Sequence, residues 1–196
     1  MANTEYGLAT RALTGPAEEC GDAGLLVERD GWLFAALVDG LGHGPRAASI
    51  AVQATTYLEA HCARPLVELL DGLHEELKST QGAVACLCRL DLASGELCMA
   101  GIGNIVCRIL NGLDSERLLS RDGVLGYMHA TPKEHIRKLA PHALLLLHSD
   151  GVREHFEPYE YPGILKGPAG TVAAQIVDKL GKGDDDASCL AVRYRR

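Results

Sequence analysis

Four short stretches of this sequence hold aspartates in positions suited to binding a hard cation: Gly21-Asp22, Asp39-Gly40, Asp150-Gly151 and the triplet Asp184-Asp185-Asp186. The first two are linked by a hairpin. Leu25 to Arg29 and Trp32 to Val38 are β-like runs separated by Asp30-Gly31, a pair suited to a type I′ turn because both positions need positive φ. Counting outward from that turn sets Arg29 against Trp32 and, if no bulge intervenes, Asp22 against Asp39. Directly opposed strand residues have Cβ atoms ~4.5–5.5 Å apart, and like charges placed so destabilise the pair. A divalent cation with oxygen ligands would compensate. The other reading is that one aspartate caps a turn while a bulge carries its partner away.

Asp150-Gly151 repeats the arrangement, since Leu144 to Leu147 is an apolar run ending in an acid and a glycine, as Leu37-Val38-Asp39-Gly40 is. The terminal triplet precedes another apolar run, Ala187 to Tyr194. In antiparallel sheets the starts of some strands lie beside the ends of others, so Asp22, Asp39, Asp150 and part of the triplet can converge on one edge. Carboxylates without paired histidines or cysteines select Mg²⁺ or Mn²⁺ over zinc or copper. Two such ions orient a phosphoryl group and stabilise attacking and leaving oxygens, which supports phosphoester hydrolysis with no protein nucleophile. The ions would also reverse the local field, so an acidic protein can attract a phosphate dianion there.

The elements that must hold these acids follow from periodicity. Gly44-Pro45 opens a helix that carries Ala47, Ala48, Ala51, Tyr57 and Leu58 and ends near His61; a second starts at Pro65 and puts Leu66, Leu69, Leu70, Leu73 and Leu77 on one face. From Ala83 the pattern becomes strand-like: Ala83 to Asp91, Glu96 to Gly101, Ile105 to Leu110 and Glu116 to Ser120 form a meander. Thr131-Pro132-Lys133-Glu134 combines an N-cap, a first-turn proline and a capping-box glutamate, which predicts a short helix to about Leu139. Ala143 to His148 is a strand, Thr171 to Leu180 a helix closed by Gly181, and Ala187 to Tyr194 the last strand. Adjacent strands joined by tight turns, with helices between groups of them, favour an α+β class with antiparallel sheet.

Composition narrows the function. The 196 residues are 47% hydrophobic and 23% charged, and no linker or repeat divides them, so residues 1–196 read as a single domain. Nineteen Lys and Arg against 26 Asp and Glu give a charge of −7, which argues against a nucleic-acid partner. No apolar run approaches a membrane span and Met1 to Pro16 has no signal-peptide core, so a cytoplasmic location is expected. Seven cysteines, an odd count, read as small buried hydrophobes; Cys86-x-Cys88 lacks a second pair at zinc spacing. Arg193, Arg195 and Arg196 make only a short basic tail, read as solubilising a strand edge.

Val38-Asp39-Gly40-Leu41-Gly42-His43-Gly44, Ser149-Asp150-Gly151 and Asp185-Asp186-Ala187-Ser188, with Gly21-Asp22 ahead of them, resemble the metal-dependent PPM (type 2C) serine/threonine phosphatases. Gly101-Ile102-Gly103-Asn104 and Gly123-Val124-Leu125-Gly126 resemble the bacterial SpoIIE-like branch, and the short catalytic domain is most similar to feedback phosphatases of the stressosome. The resemblance implies an αββα sandwich of two antiparallel sheets flanked by helices, with two Mn²⁺ or Mg²⁺ ions at the sheet edge. Carried over, Asp39 would bridge the ions, Gly40 would offer its carbonyl, Asp22 and Asp150 would bind on either side, and Asp185 would complete the set beside Asp186. It further implies a negative feedback regulator acting on phosphoserine or phosphothreonine in STAS-domain proteins of a stress-signalling complex. A monomer is expected.

Two departures bear on catalysis. Eukaryotic members place a histidine directly after the first Asp-Gly, where this chain has Leu41, with His43 two residues later. His43 is therefore a candidate general acid, or a residue that only hydrogen-bonds its loop. Those members also grip phosphate with an N-terminal arginine, for which only Arg11 is available here. The Gly40–Gly44 segment lacks the third glycine of a dinucleotide fingerprint, so a nucleotide cradle is set aside. The remaining alternatives are a phosphatase of a soluble anti-sigma-factor antagonist and a silent module that binds phosphoprotein without hydrolysing it.

Overall fold

The computed structural model describes residues 4–112, 114–156 and 158–195; Arg196 of the basic tail lies outside them. Strand β1 (Glu5–Arg11) is followed by the hairpin β2 (Asp22–Arg29) and β3 (Trp32–Gly40), helices α1 (Pro45–His61) and α2 (Leu66–Glu76), then β4 (Ala83–Asp91), β5 (Glu96–Ile102), β6 (Val106–Asn111) and β7 (Asp114–Leu118). A small hairpin of β8 (Gly123–Val124) and β9 (Met128–His129) leads to β10 (His135–Lys138) and β11 (Leu144–His148), and helix α3 (Ala169–Leu180) precedes β12 (Ala187–Arg193). The strands form two five-stranded antiparallel sheets, ordered β1-β12-β11-β6-β7 and β10-β5-β4-β3-β2.

Three apolar layers hold this αββα arrangement together. Strand β3 shows how: Leu33, Ala35 and Leu37 face the opposite sheet, whereas Phe34, Ala36 and Val38 pack against Ile50, Leu58 and Leu70 of α1 and α2. The other sheet sends Leu145, Leu147, Leu190 and Val192 inward, and Leu144, Leu146 and Ala191 outward onto Val172, Ala173 and Ile176 of α3. Central strands are thus buried on both faces, and their sequences are continuous apolar runs although the sheets are antiparallel, where one solvated face is common. All seven cysteines are free thiols, six of them buried and Cys98 partly so. No helix among the described residues is long and apolar enough to cross a membrane.

The first hairpin folds in the expected register. Asp30 and Gly31 both take positive φ, at 50° and 82°, and the pairing runs without a bulge from Arg29–Trp32 to Asp22–Asp39. One expected element is different. Thr131 to Leu139 is not a helix; His135–Lys138 is the edge strand β10, paired with Glu96–Met99 of β5, and the Leu139 amide bonds to the Gly95 carbonyl. So short a helix is marginal in water, and Ile136 remains 58% exposed, so a helix had little apolar face to bury; the open edge of β5 offered a ladder of backbone hydrogen bonds instead. The periodic reading also leaves out β1, whose burial alternates at the sheet edge, and starts α3 two residues late. Of the basic tail, Arg193 donates to the carbonyls of Leu165 and Gly167 and Arg195 pairs with Glu5.

Candidate active site

Strand ends deliver the acids to one edge of the sandwich. Asp22 opens β2 and Asp39 sits next to last on β3, facing each other across the hairpin. Asp150 follows β11 in the Ser149-Asp150-Gly151 turn, and Asp185 and Asp186 lead into β12, the neighbour of β11. Two glycines let these segments close. A Cβ on Gly151 would stand 1.7 Å from the Asp186 carbonyl oxygen, and one on Gly40 would stand 2.6 Å from the Ala47 carbonyl oxygen of α1. The Gly40 amide is held by the Gly21 carbonyl at 2.9 Å.

Three of the acids, Asp39, Asp150 and Asp185, line a cavity of about 520 Å³. Asp22 lies deeper, 5% exposed, and its Oδ2 accepts a 2.5 Å hydrogen bond from the Ser149 hydroxyl. Asp186 is turned away to hold the backbone: its Oδ1 accepts from the Leu13 amide and its Oδ2 from the Gly21 amide, both at 2.6 Å. The triplet therefore divides its work, with Asp185 facing the cavity and Asp186 tying the β1–β2 connection to β12.

The field at this edge is strongly negative. Burial, and then the charges of Asp22, Asp150, Asp185 and Asp186, push Asp39 up to about 8. Burial also pushes Asp22 up to about 6, against the Ser149 and Ser188 hydroxyls that favour its charged form. Asp185 is raised as well, by burial first and Asp150 next. Among the described residues lining the cavity none is lysine, arginine or histidine. Clustered carboxylates with no protein cation fit a divalent ion with oxygen ligands, and Asp39, Asp150, Asp185, Asp22 and the Gly40 carbonyl are the groups that could hold it.

His43 is exposed on the loop after β3; its neighbours Leu41 and Gly42 line the cavity and it does not. Arg11 is engaged elsewhere, its guanidinium donating to the Val177 carbonyl at 3.3 Å and to that of Lys182, which caps the end of α3. Two lining residues had no role assigned from sequence. Asn104 donates from Nδ2 to Asp150 Oδ2 at 2.9 Å, which fixes that carboxylate's rotamer. Asp122 directly precedes the β8–β9 hairpin, whose Gly123 and Val124 also line the cavity and which is anchored to β4 by reciprocal Ala83–Leu125 backbone bonds. The available signal was Asp122-Gly123, but Asp-Gly also occurs at 30, 39, 71 and 150, so the dipeptide alone does not pick out the site.

An antiparallel αββα sandwich with aspartates gathered at the strand ends is the architecture of metal-dependent phosphatases of the PP2C type, and the comparisons with known proteins agree. The model of the family Stage II sporulation protein E (SpoIIE) matches residues 29–195, and the chain belongs to that family. A solved structure from work on "The bacterial stressosome: a modular system that has been adapted to control secondary messenger signaling" is 35% identical, with a TM-score of 0.89 over 97% of this chain and 100% of that one. RsbX in complex with magnesium is 18% identical, with a TM-score of 0.80 over 98% and 99%. The phosphatase-domain structure of SpoIIE from Bacillus subtilis is 19% identical, with a TM-score of 0.84 over 99% of this chain and 64% of that one; these last two show the shared fold. No protein with a curated description matches the chain. The chain carries the PP2C-type phosphatase fold of that family.

Proposed function

We propose that this protein hydrolyses phosphoserine and phosphothreonine on a STAS-domain protein of a stress-signalling complex and so acts as a negative feedback regulator, using two Mn²⁺ or Mg²⁺ ions held by Asp22, Asp39, Gly40, Asp150 and Asp185. The observation that carries the reading is the meeting of Asp39, Asp150 and Asp185 on a cavity with no cationic side chain. Such a pocket repels a phosphate dianion until divalent ions occupy it. The stressosome context is supported by the relative that shares 35% of its residues and by the fold shared with RsbX.

When bound, the ions supply an activated water and a positive field for the phosphoryl oxygens. The chain supplies the frame. The Ser149 and Ser188 hydroxyls favour the charged form of Asp22 against its burial, and Asn104 holds Asp150 by Oδ2. Asp186 fixes the Gly21 backbone beside Gly40. Gly123 and Val124 of the β8–β9 hairpin line the cavity, and the same hairpin carries Tyr127 and Met128, 82% and 70% exposed, which favours a folded phosphoprotein over a short peptide as substrate.

The test is phosphate release from a phosphorylated STAS-domain protein, with a phosphoserine peptide of the same sequence alongside. Turnover that needs Mn²⁺ or Mg²⁺, stops in EDTA and has a higher kcat/KM on the intact protein is the expected result. Turnover in excess chelator would overturn the metal assignment, and equal kcat/KM on protein and peptide would overturn the substrate assignment.

A further inference from the structure

A second cluster of like side chains lies in the middle of the sandwich. Cys86 and Cys88, two apart on β4, share its inner face, and Cys107 reaches them from β6 of the opposite sheet. Their Sγ atoms all lie within 4.8 Å of one another, and exposure is 0% for Cys86 and Cys107 and 1% for Cys88. Met99 stands directly across from Cys88 on β5 and is buried in the same layer. Ser120 adds an unusual feature: its hydroxyl is buried without a hydrogen-bond partner. It packs over Gly101, where a Cβ would stand 2.3 Å from that oxygen, and Gly101 is the cross-strand neighbour of Cys86.

Around this cluster the layer is built from Leu37, Leu145, Leu147 and Leu190, residues that fill a sheet interface without polar atoms. Three thiols in contact supply instead a set of soft donors from both sheets.

We propose that Cys86, Cys88 and Cys107 form a binding site for one soft monovalent cation, Cu(I), which joins the two sheets at their centre. Sulfurs arranged around one ion at a metal–sulfur distance of about 2.3 Å stand about 4.0 Å apart, so the trio needs little movement. Zinc in a structural site takes four ligands, whereas the trio supplies three, with the Met99 thioether, a donor that suits Cu(I), in the same buried layer. The cysteines bind as thiolates, each releasing its proton to solvent as the ion enters. Copper enters and stays as Cu(I), so no electron is transferred. The hard carboxylates at the sheet edge and these sulfurs select different ions.

The test uses the full-length reduced protein under anaerobic conditions, titrated with Cu(I) against the chelator bicinchoninate and read after uptake levels off. One Cu(I) per chain with a near-ultraviolet sulfur-to-copper band is expected. Cys107→Val should weaken binding at least a hundredfold, whereas Cys98→Ser and Asp39→Asn should leave it unchanged. X-ray absorption on the wild-type complex, which needs no variant to fold, should show two or three sulfur neighbours at the copper. Unchanged binding in a folded Cys107→Val, nitrogen or oxygen neighbours at the copper, or equally tight uptake of Zn²⁺ by the same cysteines would each overturn the proposal.

Discussion

The acidic edge and the sulfur cluster are both gatherings of three or more like groups from several strands, yet the chain builds them oppositely. The aspartates stand at strand ends, where the backbone leaves the sheets and a cavity opens; the cysteines stand in mid-strand, between sheets packed on both faces. Position decides what each can do. Carboxylates at an open edge exchange ions and substrate with solvent, whereas buried thiols are reached only when the sheets part. The phosphatase chemistry proposed above therefore belongs to the edge, and the two regions should respond independently to substitution.

The largest effect comes from removing the acid that the others crowd. Asp39→Asn should bring phosphate release below detection, beyond the ~10–100-fold that disturbing an outer-shell partner costs, while Cys107→Val and alkylation of the native protein leave kcat within about twofold. Loss of activity on alkylating the folded enzyme would join the two regions and break the comparison.

Within the edge, Asp39 and Asp186 should separate in stability. Asp186→Ala leaves two backbone amides without a charged acceptor, at about 1.5–3 kcal/mol for each bond, and should melt well below the wild type even without metal. Asp39→Asn removes like-charge opposition of a few tenths to about 1 kcal/mol and should melt at or above the metal-free wild type. Added Mn²⁺ at a hundredfold excess over Kd should contribute ~2.7 kcal/mol to the wild type and little to Asp39→Asn. Thermal unfolding of the three proteins with and without Mn²⁺ reads both contrasts; a full metal increment in Asp39→Asn would return Asp39 to a turn role.

The metal-free protein should also show a pH dependence of fixed sign. Asp22 and Asp39 bind protons more tightly folded than unfolded, so their contribution is fully present below the ordinary carboxylate range and is lost as pH rises through about 6 and then about 8. In chelator the melting temperature should fall between pH 5 and pH 8, and saturating Mn²⁺ should abolish the fall. A rise over that range would mean the carboxylates are not crowded as described.

The edge was more legible in sequence than the core, for a physical reason. Asp30-Gly31 dictates a two-residue turn, and the pairing of Asp22 with Asp39 follows from counting; Asp150 and Asp185 are marked by the apolar strands they end or precede. Contacts between sheets have no such marker. Nothing in the spacing of Cys86 and Cys107 says that β4 and β6 lie face to face, and Asn104 meets Asp150 only through that same packing. The Thr131 to Leu139 segment failed for the converse reason: its capping signals are local, and the open edge of β5 outweighed them.

His43 gives the smallest effect and the finest test of where the chemistry ends. From sequence it is the histidine closest to the first Asp-Gly and a candidate general acid for the leaving alkoxide. Such help contributes typically ~10²–10⁴-fold and needs hydrogen-bond reach to the leaving oxygen. In the structure the loop after β3 points Leu41 and Gly42 at the cavity and leaves His43 exposed beyond it. His43→Ala should therefore lower kcat by less than about tenfold, with the Mn²⁺ affinity unchanged and the pH profile of kcat the same shape as the wild type. A loss of 10²-fold or more together with removal of a limb from that profile would show that substrate draws the loop inward, and would extend the active edge to a residue that the metal-free fold holds outside it.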